Sequence, residues 1–201
     1  MPNLESHLTL TRCPHCRVDS PNITITNRFK TNSFNNSDLR YWAIYICNRC
    51  GGVITAASPY AENGWIEEMF PEEIIVDESI PTKPKAFLNQ AIDSLHAPSG
   101  SIMLAASAID SMLKEKGYKT GKLYSRINNA VTDHLITKEM GLWAHEVRLD
   151  ANDERHADDE AELPTSKEAK KTVDFALALA EFLFILPSKI ERGLKDAAQK
   201  E

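Results

Sequence analysis

Cys13-Pro14-His15-Cys16 and Cys47-Asn48-Arg49-Cys50-Gly51-Gly52 contain all four cysteines of the 201-residue chain. Each C-x-x-C turn presents two sulfurs to one point, and four thiolates satisfy the tetrahedral preference of Zn²⁺. The second pair is followed by two glycines, where the backbone must turn tightly to aim its amides at the sulfurs. This spacing predicts a zinc ribbon, with Cys13, Cys16, Cys47 and Cys50 as metal ligands and Zn²⁺ as a structural cofactor. A rubredoxin-like iron site would use the same sulfurs. Two disulfides or a redox pair are a further reading. Against it stand the amino terminus MPNLESHLTL, which lacks the pattern of a signal peptide, and the lack of a βαβ setting. Four sulfurs leave no coordination position open for water, so metal-assisted hydrolysis is not expected there. His15 is expected to be an exposed knuckle residue and not a ligand.

Outward from the cysteines, residues 22–29, 40–47 and 52–57 carry β-branched and aromatic residues at period two (Ile23, Ile25, Tyr41, Tyr45, Val53, Thr55), which predicts three strands. The run TNSFNNSD between the first two is turn material. A segment of about 60 residues buries too little apolar surface to be secure alone, so the metal is expected to fix this fold. Residues 61–84 hold seven acids and one lysine, with Pro71, Pro81 and Pro84 stopping any long helix. They read as a linker packed partly by Trp65, Phe70, Ile74 and Ile75.

After Pro84 the pattern turns to period 3.6, predicting helices over 85–97, 101–117, 121–134, 137–158 and 165–186 and a short tail helix from 188. In the second, Ile102, Ala105, Ala106, Ile109, Met112 and Leu113 form one apolar face. The fifth opens with a capping box, Thr165 and Glu168, and is apolar almost all round from Phe175 to Leu186. Such a helix is either central in a bundle or half of a dimer interface. The acidic run Asp158-Asp159-Glu160 reads as a solvated loop. The fold class is α+β: a zinc ribbon (1–60), an acidic Pro-containing linker (61–84) and a helical bundle (85–201).

Hydrophobic residues at 42% and charged residues at 26% exclude a disordered chain. A net charge of -6, from 23 basic and 29 acidic side chains, argues against tight unspecific DNA binding. Residues 1–60 hold six basic against three acidic side chains, so nucleic-acid contacts are expected there first. The stretch Phe175–Leu186 is too short to span a bilayer, and a cytoplasmic protein without membrane association is expected.

Within 137–158, His145, Arg148, Asn152 and His156 fall inside an arc of about 80° on a helical wheel. Ala144, Val147 and Ala151 lie on one side of this stripe and Leu142 and Leu149 on the other, while Glu139, Glu146, Asp150 and Asp153 occupy the opposite face. A polar stripe set in an apolar arc is costly unless its members are paired or line a cavity, which is the arrangement of many functional sites. A satisfied core network is the other reading.

The paired cysteine knuckles, the connector with Phe70-Pro71 and Ile80-Pro81, the helix Ser101-Ile-Met-Leu-Ala-Ala-Ser-Ala-Ile-Asp110 and the Arg148-x3-Asn152-x3-His156 helix together resemble the bacterial family called domain of unknown function 4145. Its helical part is similar to the HEPN superfamily of bundles, many of whose members are RNA-cutting toxins or defence proteins. The resemblance implies a homodimer through the helical domain and catalytic residues Arg148, Asn152 and His156, supported by Asp110, which is expected to pair with Arg148. Ala151 stands where the superfamily's active ribonucleases carry arginine, and Ala106 where relatives carry a second one.

Two functions follow. In the first the chain is a zinc-binding, HEPN-like, RNA-associated protein, extending to a metal-independent endoribonuclease of a defence or toxin system. His156 would act as base, Arg148 would neutralise charge on the phosphorane, and Asn152 would orient the phosphate. In the second it is a non-catalytic adaptor that binds protein partners in a defence or regulatory system.

Overall fold

The structure, a computed structural model, describes residues 2–72, 74–156 and 162–198, with only the backbone described for 154–156. The chain divides into two units, Met1–Ile74 and Ile75–Glu201. The architecture is α+β, with a four-stranded antiparallel sheet in the first unit and helices in the second.

The first unit is a meander of β1 (Ile23–Thr31), β2 (Arg40–Cys47), β3 (Val53–Ser58) and β4 (Glu68–Phe70), in spatial order β1-β2-β3-β4. A bulge at Thr26 separates Ile25, paired with Tyr45, from Asn27, paired with Ile44. Period two then sends Ala43, Tyr45 and Cys47 inward, where they meet Leu4, Leu8, Ile23, Ile54 and Ile66 in the core. The Tyr45 hydroxyl donates to the Glu5 carbonyl at 3.0 Å, so the largest side chain of this core leaves no buried donor idle. On the other face Trp42 stacks on its cross-strand partner Phe29.

The acidic connector is shared between the units. Trp65 bridges Asn3, β4 pairs with β3, and only from Ile75 does the chain belong to the helical unit. The residues expected to pack it are mostly exposed: Trp65, Phe70 and Ile75 face solvent, whereas Ile66, Val76 and Ile80 are buried. Strand alternation explains part of this, because β4 places Phe70 on the outward face opposite Thr55.

In the second unit α1 (Thr82–Asp93), α2 (Pro98–Glu115), α3 (Leu123–Thr132), α4 (Lys138–His156) and α5 (Ser166–Ala180) form the bundle. The central helix is α2, which packs against α1, α3, α4 and α5. Its six expected core residues are all buried, and Ser101, Ala108 and Ser111 join them on the remaining sides. Ser101 satisfies its hydroxyl on the Ala91 carbonyl at 2.8 Å. Gly141 lets α4 approach α3, since a Cβ there would stand 2.4 Å from Val131 Cγ2.

The capping box forms, with Thr165 N–H donating to Glu168 Oε2 (2.7 Å) and Glu168 N–H to Thr165 Oγ1 (3.3 Å). The helix it starts does not stop at Pro187. Leu186 N–H reaches the Glu181 carbonyl, giving a wide turn over Glu181–Ile185, and α6 (Leu186–Ala198) continues from it. Pro187 is tolerated because it sits in the first turn of α6, where a missing N–H costs least. Phe175, Leu179 and Leu183 are buried in the bundle, whereas Phe182, Leu186, Ile190 and Leu194 are exposed and no α6 residue is buried. The apolar stretch is thus half core and half surface. The run Asp158-Asp159-Glu160 lies outside the described residues.

Candidate metal centre and anion cleft

Two similar turns build the cysteine site. Arg17 N–H donates to the Cys13 carbonyl (2.9 Å) and Gly51 N–H to the Cys47 carbonyl (2.8 Å). The residue after each second cysteine is left-handed, Arg17 at φ 56° and Gly51 at φ 71°. For glycine this costs little, whereas arginine bears a strain of about 1 kcal/mol. Gly52 N–H points to Cys50 Sγ at 3.4 Å, the amide-to-sulfur bond that the glycines were expected to permit. His15 is exposed and not among the four ligands. Its Nε2 donates to the Val53 carbonyl (2.7 Å), and its ring lies where a Cβ on Gly52 would sit, which ties the first knuckle to the second.

The sulfurs of Cys13, Cys16, Cys47 and Cys50 all lie within 4.8 Å of one another, and the four are free thiols that could hold a metal ion. Crowding divides their protons unequally. Burial pushes Cys13 up to about 12. Burial also opposes ionisation of Cys47, but hydrogen bonds from the Cys50 and Arg49 amides and from the Cys13 and Cys50 thiols outweigh it and bring Cys47 down to about 7. A metal ion, which the four sulfurs could hold, would take its ligands as thiolates.

The cations of the sheet unit are largely engaged within it. Arg28 donates to the Leu4 and Glu62 carbonyls and to Asn63 Oδ1, Lys30 pairs with Glu62 (2.6 Å) and Arg40 with Glu68 (2.5 Å). Glu62 and Glu68 of the connector thus offset two of the six basic side chains of residues 1–60.

The helical unit holds a cleft of about 610 Å³ between α1, α2, α3 and α4. Arg148 and Asn152 of the stripe line it, together with Asp110 and the two alanines Ala106 and Ala151. Also lining it are Lys114 on α2, Lys122, which precedes α3, and Tyr124 and Arg126 on α3, with Lys83 on α1. Five cations thus face one carboxylate. The stripe borders solvent, for Leu142, Leu149 and Asn152 are exposed while Ala144, Val147 and Ala151 are buried.

Asp110 does not pair with Arg148 as expected. It binds Arg126 Nη1 at 2.5 Å and Lys114, because α3 inserts Arg126 beside it. Arg148 lies over the Tyr124 ring, 5.5 Å from its centre, and its Nε is buried without a hydrogen-bond partner among the described residues. His145 packs on the same ring at 4.9 Å, donates from Nε2 to Asn128 Oδ1 (3.0 Å) and leaves Nδ1 buried without a partner among the described residues. Burial, and secondly the charge of Arg148, lowers its pKa and so favours the neutral imidazole. The His156 side chain lies outside the described residues. Lys83, Lys114, Lys122, Tyr124 and Arg126 come from three different elements, so no single helical wheel brings them together.

Among the described residues no helix is long and apolar enough to cross a membrane. No curated protein and no solved structure matches the chain. The model of the family described as domain of unknown function (DUF4145) matches residues 82–197, more than half of the 201, and covers α1 to α5 and nearly all of α6, so the chain belongs to that family.

Proposed function

We propose that the chain is a zinc-binding, HEPN-like, RNA-associated protein, with structural Zn²⁺ on the four cysteines and RNA acted on at the Arg148/Asn152/His156 stripe of the helical unit. The observation that carries this reading is that Arg148 and Asn152 line an open cleft instead of being sealed in a core. Cleavage of RNA without a metal needs a base for the 2'-hydroxyl and a cation for the phosphorane, the roles of His156 and of Arg148. Ala106 and Ala151 remove two arginines that relatives of the superfamily would carry, but both alanines line the same cleft, and Arg126 and Arg148 restore cations to it. The exposed ladder Phe182, Leu186, Ile190 and Leu194 supports a homodimer through the helical domain, which sedimentation at micromolar concentration tests.

The deciding experiment incubates the metal-loaded chain with labelled single-stranded RNA in magnesium-free buffer. Cutting is expected, and His156→Ala or Arg148→Ala should reduce it about 10²-fold or more with the melting temperature nearly unchanged. An uncut RNA, with both substitutions mainly lowering stability, hands the site to the adaptor reading.

A further inference from the structure

The four cysteines are alike in spacing and unlike in setting. Cys13 and Cys47 are fully buried in the core of the sheet unit, Cys16 is half-buried and Cys50 is exposed. Cys50 is thus the edge of the site that solvent reaches. The backbone that follows does not shield it, for Gly51 and Gly52 carry no side chain, and a Cβ on Gly51 would meet nothing within 4 Å among the described residues. Behind this open edge stands a second sulfur. Cys13 Sγ lies 3.9 Å from Cys50 Sγ, although the two are 37 positions apart. His15 holds the knuckles in this register, through the bond from its Nε2 to the Val53 carbonyl and through its ring against Gly52. Contacts of the chain itself therefore bring the two sulfurs together. Small oxidants act on thiolates in order of access, so the setting of the sulfurs decides which of them is modified first.

We infer that Cys50 is a site of oxidation by peroxide and that Cys13 is the thiol that resolves it, which makes the metal centre a peroxide-sensitive switch of the sheet unit. The Cys50 thiolate attacks one peroxide oxygen. An S–O bond forms, the O–O bond breaks, and the departing hydroxide takes a proton from solvent and leaves as water. The Cys13 thiolate then attacks the sulfenic sulfur, and the S–S bond forms as the S–O bond breaks and a second hydroxide leaves, again protonated to water. Two thiolates lose two electrons, one hydrogen peroxide gains them, and two protons are consumed. The disulfide withdraws two of the four sulfurs from the ion, and the stabilising effect of the ion on this small unit is lost with it. A dithiol reductant reverses the step. The new bond ties one knuckle to the other and closes neither C-x-x-C turn. The inference rests on the reading of the four cysteines as a metal site.

The test treats the full metal-loaded chain with hydrogen peroxide. Released metal is followed with a chromogenic chelator, sulfenic acid is trapped with a cyclic dione, and both dione adducts and disulfides are located by peptide mass mapping. The dione should mark Cys50 at early times, a Cys13–Cys50 disulfide should follow, and one ion should leave for each disulfide formed. Dithiothreitol with added zinc should restore metal binding. Adducts and disulfides confined to other cysteines, or metal retained after Cys50 is oxidised, overturn the switch. Cys50→His removes the thiol and keeps a ligand for the ion. If that variant loads with metal, peroxide should no longer release it, and release as fast as from the unaltered chain overturns the role of Cys50. If it does not load, the mapping on the unaltered chain decides by itself. A chain that binds no metal before oxidation ends the metal reading, whereas the Cys13–Cys50 disulfide is still scored on the same map, so the two failures are distinguishable.

Discussion

His145 illustrates how one side chain couples the site to pH. Its folded-state pKa lies below the ordinary 6.5 because burial, and then Arg148, oppose its charge. The folded chain therefore binds fewer protons at this position than the unfolded one. The resulting stability is complete above about pH 6.5 and is lost as pH falls through that value towards the lowered one. Melting temperatures recorded from about pH 7.5 to 5.5 should fall on the acid side. His145→Gln should flatten part of that fall, and an unchanged slope would remove His145 from the account. At this scale the sequence was informative wherever the chemistry is local: two C-x-x-C turns specify their own geometry, and a helical wheel puts Arg148 and Asn152 on one line. It misassigned Asp110, since a wheel gives the direction of a side chain and not the neighbour it meets, and that neighbour is Arg126 from another helix.

Helix ends and crossings obey the same distinction. The capping box was legible because its two residues are three apart, and Thr165→Ala should cost about 1 kcal/mol, measured by denaturant unfolding. The close approach of α4 to α3 was not legible, because a glycine inside a helix has no mark of its own until Val131 is set against it. Gly141→Ala should destabilise by about 1–3 kcal/mol through overpacking, and Val131→Ala should recover part of that loss in the double variant. Full additivity of the two losses would show that they do not meet. The separate tail helix expected from 188 is instead continuous with the fifth helix, because a wide turn ahead of Pro187 carries the helix on.

The molecule as a whole should come apart in two stages. The sheet unit is small and gathers four thiols that could hold a metal ion, so its folding free energy is expected to depend on that ion. The helical unit has its own core on α2. A strong chelator, or Cys13→Ser, should abolish the cooperative unfolding of the sheet while helical circular dichroism persists, and simultaneous loss of both would contradict this independence. The unequal fate of the charges has a consequence in ionic strength. In the sheet unit the cations Arg28, Lys30 and Arg40 are occupied by the chain's own oxygens, so added salt has few ligand-facing charges to screen there. In the cleft they face a cavity, and each phosphate they neutralise would release about 0.7 of a counterion from a single strand. The slope of log affinity against log salt, measured on the intact chain, thus becomes a count of cleft cations in use, and Lys122→Glu should make that count fall by about one.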